Sequence, residues 1–275
     1  MADLLRLMGE NPDDLAVAAT VPVTLRRLHG GDSLFHQAAR AESIYFVRDG
    51  TFKHYRIAED GDEQVLGFAG RAEVLGFGAI DAGRHPTAAV ALEESSVYVV
   101  TVQDLFTLGH RIPGFDRVVY LAISAQLAHR NRLADLREPV PADARLARFL
   151  LRMIQRLSAC GPSPRRLHLR MSRRDIASYL GLAHETVSRS FGILVAAGCL
   201  RVHNREVEIL DLEGLTAFAR SAQRQVASLD QPLAPCANPV PPAQTSVYRL
   251  FAHPAGSTIR TGKPGEIKRL EEPSP

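Results

Sequence analysis

Glu185, Ser188 and Arg189 carry the most chemistry in this sequence. At i, i+3 and i+4 they project from one side of a helix. An arginine fork bonds both acceptors of guanine, a carboxylate accepts from the amino group of cytosine, and a serine hydroxyl serves either. The same spacing also allows a plain Glu-to-Arg surface ion pair worth about 0.3–0.5 kcal/mol, so the surroundings must decide. Upstream, Ser172 with Asp175 three residues later is a capping pair. Ile176, Ala177 and Leu180 mark the buried side of the helix it opens. Gly181 sits where a tight turn between crossing helices needs a positive φ. Val187, Phe191 and Leu194 then continue the apolar face of a second helix. These are the packing residues of a helix-turn-helix, and in that setting the polar triple reads base edges.

Two alternating runs follow, Leu200–His203 and Glu206–Leu210, around Asn204-Arg205. They predict a β-hairpin wing. Ser172, Arg173 and Thr186 at helix starts, with Arg201 and Arg205 in the wing, are the candidates for phosphate contact. The charge distribution agrees with a double-stranded DNA partner. Residues 1–144 hold 14 basic and 20 acidic side chains, whereas residues 145–205 hold twelve arginines and no lysine. Arginine suits phosphate and guanine better than lysine does, and an acidic front with a basic rear predicts two jobs on one chain.

The elements that must position this site follow from texture. The 275 residues are 45% apolar and 23% charged, the balance of a globular protein with room for two domains. No apolar run approaches a membrane span, and Met1–Glu10 lacks a signal pattern, so a cytoplasmic protein without membrane association is expected. Ser43–Arg48, Thr51–Ile57, Gln64–Phe68, Ala88–Leu92 and Ser96–Val100 read as short strands separated by Gly-containing turns, an antiparallel sandwich or barrel. Asp49-Gly50 is expected to close a hairpin. Pro12-Asp13-Asp14-Leu15 suits a helix N-terminus, and Thr101 with Asp104 caps Val102–Leu108. Phe115–Arg137 is a long helix with two apolar stripes, one of Phe115, Val119, Ala122, Leu133 and Leu136, the other of Tyr120, Ile123 and Leu127. One stripe lies on its own barrel; the second calls for a partner chain, which predicts a homodimer. Ala142–Ala159 is another amphipathic helix. The last 45 residues hold nine prolines and read as a disordered tail from Leu229, with a transient strand near Ser246–Phe251.

Other chemistries find little support. Cys160, Cys199 and Cys236 form no CxxC pair or disulfide framework; Cys199 is expected to be a buried apolar residue and Cys160 an inert thiol. His29, His36, His54 and His85 show no paired-ligand spacing, so no metal site is expected. With no Ser–His–Asp set or Gly-rich phosphate loop, no catalytic residue is assigned and the chain is not read as an enzyme.

Residues 20–215 resemble a transcription regulator of the CRP/FNR superfamily, in its FNR branch. The likeness rests on Ser172–Leu182 followed by Glu185-Thr186-Val187-Ser188-Arg189, which keeps all three positions of an E-x-x-S-R pattern. In the front half it rests on Gly61-Asp62-Glu63-Gln64, Leu75-Gly76-Phe77 with Ala79-Ile80, His85-Pro86-Thr87 and Ala91-Leu92-Glu93. The resemblance implies an α+β chain: a cyclic-nucleotide-binding-like β-roll (1–112), a dimerisation helix (113–138), a winged helix-turn-helix (139–219) and a Pro-rich tail (220–275). It implies a TTGAT…ATCAA-like inverted repeat as operator, Tyr120, Ile123 and Leu127 at the dimer interface, and RNA polymerase contact through Asp60, Gly61, Asp62 and Glu63. An iron–sulfur cluster like that of the branch is not expected, because the first 159 residues hold no cysteine and Tyr98 stands at the roll position. Cyclic-nucleotide-binding members hold ribose and phosphate with Glu and Arg. Here those places are Phe77 and Pro86, with only Thr87 keeping a hydroxyl, so cAMP is not expected either. The alternative reading is a ligand-sensing roll whose DNA binding depends on haem or another small effector.

Overall fold

The computed structural model describes residues 1–9, 23–112, 115–136, 140–158 and 165–229. Its front half is built from eight strands: β1 (Thr24–Leu28), β2 (Ser33–Phe35), β3 (Ser43–Asp49), β4 (Phe52–Ile57), β5 (Glu63–Ala69), β6 (Val74–Leu75), β7 (Ala88–Ala91) and β8 (Ser95–Thr101). They form two antiparallel sheets, in the orders β1-β8-β3-β6 and β2-β7-β4-β5. First pairs with last, second with seventh, third with sixth and fourth with fifth, the topology of one long hairpin rolled up on itself.

Period-2 alternation places the side chains of β3 and β8 on two different cores. Val47 and Val97 turn inward to meet Leu34, Phe52, Leu75 and Ala89 between the sheets. Ile44, Phe46, Tyr98 and Val100 turn outward, where helices cover them: Leu4 and Leu5 of α1 (Ala2–Leu7), Leu105 and Leu108 of α2 (Val102–Arg111), and Phe115, Val118 and Ala122 of α3 (Phe115–Leu136). A sheet buried on both faces explains why these strands read as nearly continuous apolar runs. Thr101 caps α2 as expected, its hydroxyl oxygen accepting from the Asp104 N–H at 3.0 Å.

Asp49-Gly50 corrects an expectation. It closes no hairpin; the chain there leaves β3 in one sheet for β4 in the other, after a register shift between Val47 and Asp49. Sequence cannot separate the two cases, since a sheet-switching corner needs the same positive φ as a hairpin turn. Gly50 has φ +89°, and a Cβ on it would lie 2.7 Å from the Ser95 Cα. The roll's hairpin is β4–β5, closed by the Ala58 N–H to Asp62 carbonyl bond at 2.9 Å.

The rear half contains α4 (Ala142–Ser158), β9 (Arg166–His168), α5 (Arg173–Leu180), α6 (His184–Ala196), β10 (Leu200–His203), β11 (Glu206–Ile209) and α7 (Leu212–Leu229). Leu146, Leu150 and Ile154 of α4 share a core with Leu194 of α6 and Leu215 and Ala219 of α7. The expected wing hairpin is present, with a third strand beside it in the order β10-β11-β9. β9 escaped the sequence reading because three residues with one buried side chain show no period. Helix α7 runs through Leu229, past the expected start of the tail at residue 220. Pro12–Leu15, Cys160, Cys236 and Ser246–Phe251 lie outside the described residues, as do the side chains of Leu133 and Leu136.

Gly50→Ala combines backbone strain with contact against a neighbouring main chain and should cost about 3 kcal/mol in urea unfolding. Gly61→Ala, at φ +87° with nothing within 4 Å, should cost only about 1 kcal/mol.

Candidate nucleic-acid interface

Helix α5 opens with a complete capping box. The Ser172 hydroxyl accepts from the Asp175 N–H at 3.1 Å, and the Asp175 carboxylate accepts from the Ser172 N–H at 2.9 Å. It ends at Gly181, in the left-handed region at φ +66° and ψ +43°, which lets the chain reverse without a Cβ penalty. Ile176, Ala177 and Leu180 then pack in one core with Val187, Phe191 and Leu194 of α6. With that face committed to the interior, Glu185, Ser188 and Arg189 come out together on the exposed side. Ser188 donates to the His184 carbonyl at 3.2 Å. Among the described residues no ion pair joins Glu185 to Arg189, so both keep their heads toward solvent. The N-cap of α6 is Ala183, which has no side chain to accept from the first N–H groups; such a helix start suits an anion.

The phosphate candidates separate into different situations. Arg205 is exposed in the wing turn, next to Asn204 at φ +54°. Thr186 is half-buried in the first turn of α6, and the Ser172 hydroxyl is occupied by the cap. Arg201 pairs across the wing with Glu208 at 2.7 Å, while Arg166 approaches the same carboxylate at 3.4 Å. Arg173 departs from the expectation of a solvent-facing contact. Its guanidinium carbon lies 3.3 Å from the centre of the Phe191 ring, and Nη2 donates to the Asn204 carbonyl at 3.4 Å. Nη1 is buried without a hydrogen-bond partner, and burial holds the group below its usual pKa. Cation–π contact and a carbonyl bond make Arg173 the tie between α5, α6 and the wing turn. No local pattern announces this role, because its two partners, Phe191 and Asn204, come from separate segments.

Elsewhere, Tyr120, Ile123 and Leu127 are exposed on α3 by 71%, 47% and 61%, and Leu121 joins them. Asp60, Gly61 and Asp62 are exposed at the β4–β5 tip, whereas Glu63 receives a 2.7 Å bond from Lys53. Phe77 lies in a short 3-10 turn after Gly76, at φ +96°. His85 is buried and stacked on Phe35 with ring centres 3.9 Å apart, and burial lowers its pKa. Cys199 is buried as expected, and burial raises its thiol pKa. Among the described residues no helix is long and apolar enough to cross a membrane.

Comparison with known proteins gives matches to both halves. A cyclic nucleotide-binding domain model matches residues 25–111, and a Crp-like helix-turn-helix domain model matches residues 144–218. The fumarate and nitrate reduction regulatory protein of Salmonella typhimurium is 35% identical over 189 residues, 69% of this chain and 76% of its own. The transcriptional activator protein FnrA of Stutzerimonas stutzeri is 36% identical over 197 residues, 72% of this chain and 81% of its own. Among solved structures, FixK2 from Bradyrhizobium japonicum superposes with a TM-score of 0.65 at 28% identity, covering 72% of this chain and 98% of that one.

Asp175 gives the helix pair a pH signature. Burial alone would raise its pKa, but bonds from the Ser172 hydroxyl and N–H and from Lys53 outweigh that and hold it below the usual carboxylate value. A depressed carboxylate contributes stability above its unfolded pKa and loses it as pH falls through the folded value. Urea midpoints measured from pH 7 down to pH 2 should therefore fall less steeply at the acid end in Asp175→Asn than in the parent.

Proposed function

The chain belongs to the CRP/FNR family of DNA-binding transcription regulators, and from that premise we propose that it acts as a homodimer on a TTGAT…ATCAA-like inverted repeat, read by Glu185, Ser188 and Arg189 in the major groove. The observation that carries this reading is the joint exposure of those three side chains on one face of α6, opposite a face committed to the core. A carboxylate, a hydroxyl and a guanidinium, without ion-pair partners among the described residues, are matched to cytosine and guanine edges. Thr186, Arg201 and Arg205, with the Ser172 end of α5, hold register against phosphates.

Dimerisation through α3 follows from its uncovered stripe. Tyr120, Leu121, Ile123 and Leu127 are apolar side chains on one helix, each close to half exposed or more, and a second copy of α3 buries them in the manner of a coiled coil. Two recognition helices then meet successive major grooves about 34 Å apart. The exposed tip Asp60-Gly61-Asp62 is the surface offered to RNA polymerase. A regulator working on DNA and polymerase is cytoplasmic in a bacterial cell. The roll carries Phe77 and Pro86 where a cyclic nucleotide's ribose and phosphate need polar partners, and it binds no cAMP in this reading.

Arg189→Ala should lose about 1–3 kcal/mol of affinity for the inverted repeat and relax preference at one base pair per half-site. Titration of matched and mismatched duplexes checks this; equal affinity of the parent for matched and scrambled duplexes would refute base reading. Ile123→Glu should shift the protein to monomer in sedimentation and abolish cooperative binding to the full repeat, and an unchanged dimer would exclude α3 as the interface.

A further inference from the structure

The DNA-reading helix pair does not hang from the roll by its covalent link alone. Strand β5 is the edge of its sheet, and an edge strand presents unpaired N–H and C=O groups. Helix α5 covers that edge. The Ser178 hydroxyl accepts from the Val65 N–H at 2.9 Å and donates to the Glu63 carbonyl at 2.8 Å, taking the place of a neighbouring strand. Beside it, the Lys53 ammonium sits between the Glu63 carboxylate at 2.7 Å and the Asp175 carboxylate at 3.0 Å. Lys53 and Asp175 are only 12% and 16% exposed, so this is not a solvated surface pair. Below them Phe68 of the roll packs against Tyr179 and Phe149, with ring centres 5.3 and 6.3 Å away, inside the core of the rear half.

Two arginines of the rear half add further contacts. Arg156 of α4 donates to the Phe68 carbonyl at 3.0 Å and pairs with Glu73. Arg170 pairs with Glu93 at 2.9 Å. One attachment fixes position; several separated attachments also fix orientation. The same roll also holds α3, through Phe115, Val118 and Ala122 and a 2.5 Å bond from Gln126 to the Val74 carbonyl.

We propose that Lys53 is a positioning residue for DNA recognition: with Ser178 it locks α5 to the β4–β5 hairpin, so that the roll sets the distance and angle between the two recognition helices of a dimer. This inference rests on the dimeric, base-reading function above. Lys53 touches no base. It acts through Asp175, whose carboxylate both caps α5 and receives the ammonium, and through Glu63, which ties the same ammonium to the hairpin proposed to meet polymerase. Removing Lys53 leaves two carboxylates facing each other without their shared cation, which drives the helix pair off the roll. Removing the Ser178 hydroxyl reopens the β5 edge and leaves no unpaired charge.

The test titrates the full-length protein against inverted repeats whose half-sites are at the preferred spacing or displaced by one or two base pairs, and against the preferred spacing with single base mismatches. For the parent, affinity should fall tenfold or more when the spacing changes. In Lys53→Met and in Ser178→Ala that spacing penalty should shrink at least fivefold, while the penalty for a mismatched base stays as in the parent and sedimentation still reports a dimer; Lys53→Arg should recover the parental spacing penalty. Equal spacing penalties in the parent and in folded Ser178→Ala would overturn the proposal, and this arm stands even if Lys53→Met fails to fold. Loss of spacing and base discrimination together would overturn it too, because a merely structural role damages both. Absence of discrimination already in the parent refutes the base-reading function itself and removes the inference with it.

Discussion

Close packing between α5 and α6 is the constraint on which the site depends. Ile176, Ala177 and Leu180 meet Val187, Phe191 and Leu194 in a continuous core, and only a small residue such as Ala177 lets two helices approach at that crossing. Once one face of α6 is committed, the 3.6-residue period leaves no freedom for Glu185, Ser188 and Arg189: they must emerge together on the opposite face. The caps act in the same sense. The Ser172–Asp175 box fixes where α5 starts, and Gly181 fixes where it stops. The direction of the polar face is thus a consequence of apolar burial, and no polar contact is required to aim it.

A second consequence of burial appears in the roll. Its β1-β8-β3-β6 sheet is covered on both faces, inward by the other sheet and outward by α1, α2 and α3. Covering that outer face uses Phe115, Val118 and Ala122 of α3, which leaves Tyr120, Leu121, Ile123 and Leu127 about half exposed or more. A helix serving one core on one side and water on the other would carry polar residues there. This one does not. The second stripe therefore belongs with the fold's architecture rather than with incidental surface.

The parts legible in the sequence are those governed by short-range pattern. Strands β3, β4, β5, β7 and β8, helices α2 to α6, the wing hairpin, both caps and the αL turn at Gly181 follow from alternation, helical period and turn chemistry within about twenty residues. What escaped depends on separation in sequence. Strands β1, β2, β6 and β9 are short, or polar enough to blur their alternation. Asp49-Gly50 has hairpin chemistry but a corner's topology, decided by the approach of Ser95 forty-five residues away. Helix α7 continues past residue 220 to Leu229, the residue from which the chain reads as a proline-rich tail. Lys53, lone in its strand, acquires a role only because Asp175 arrives beside it from 122 positions further along.

The same distinction governs the electrostatics. Twelve arginines between residues 145 and 205 announce a nucleic-acid partner, yet they are not one population. Arg145 donates to the Val140 and Leu180 carbonyls, Arg148 to that of Ala219, Arg156 to that of Phe68 and Arg173 to that of Asn204. Arg166 and Arg201 share Glu208, and Arg170 is paired with Glu93. The planar fork that suits phosphate also suits a carbonyl at a helix end or a carboxylate across a strand. Arg174, Arg189 and Arg205 are exposed and, among the described residues, take part in no such side-chain bond. Because the salt dependence of DNA binding counts neutralised phosphates and not arginines, the composition overstates the electrostatic footprint. Much of the basic balance is engaged in bonds within the protein itself.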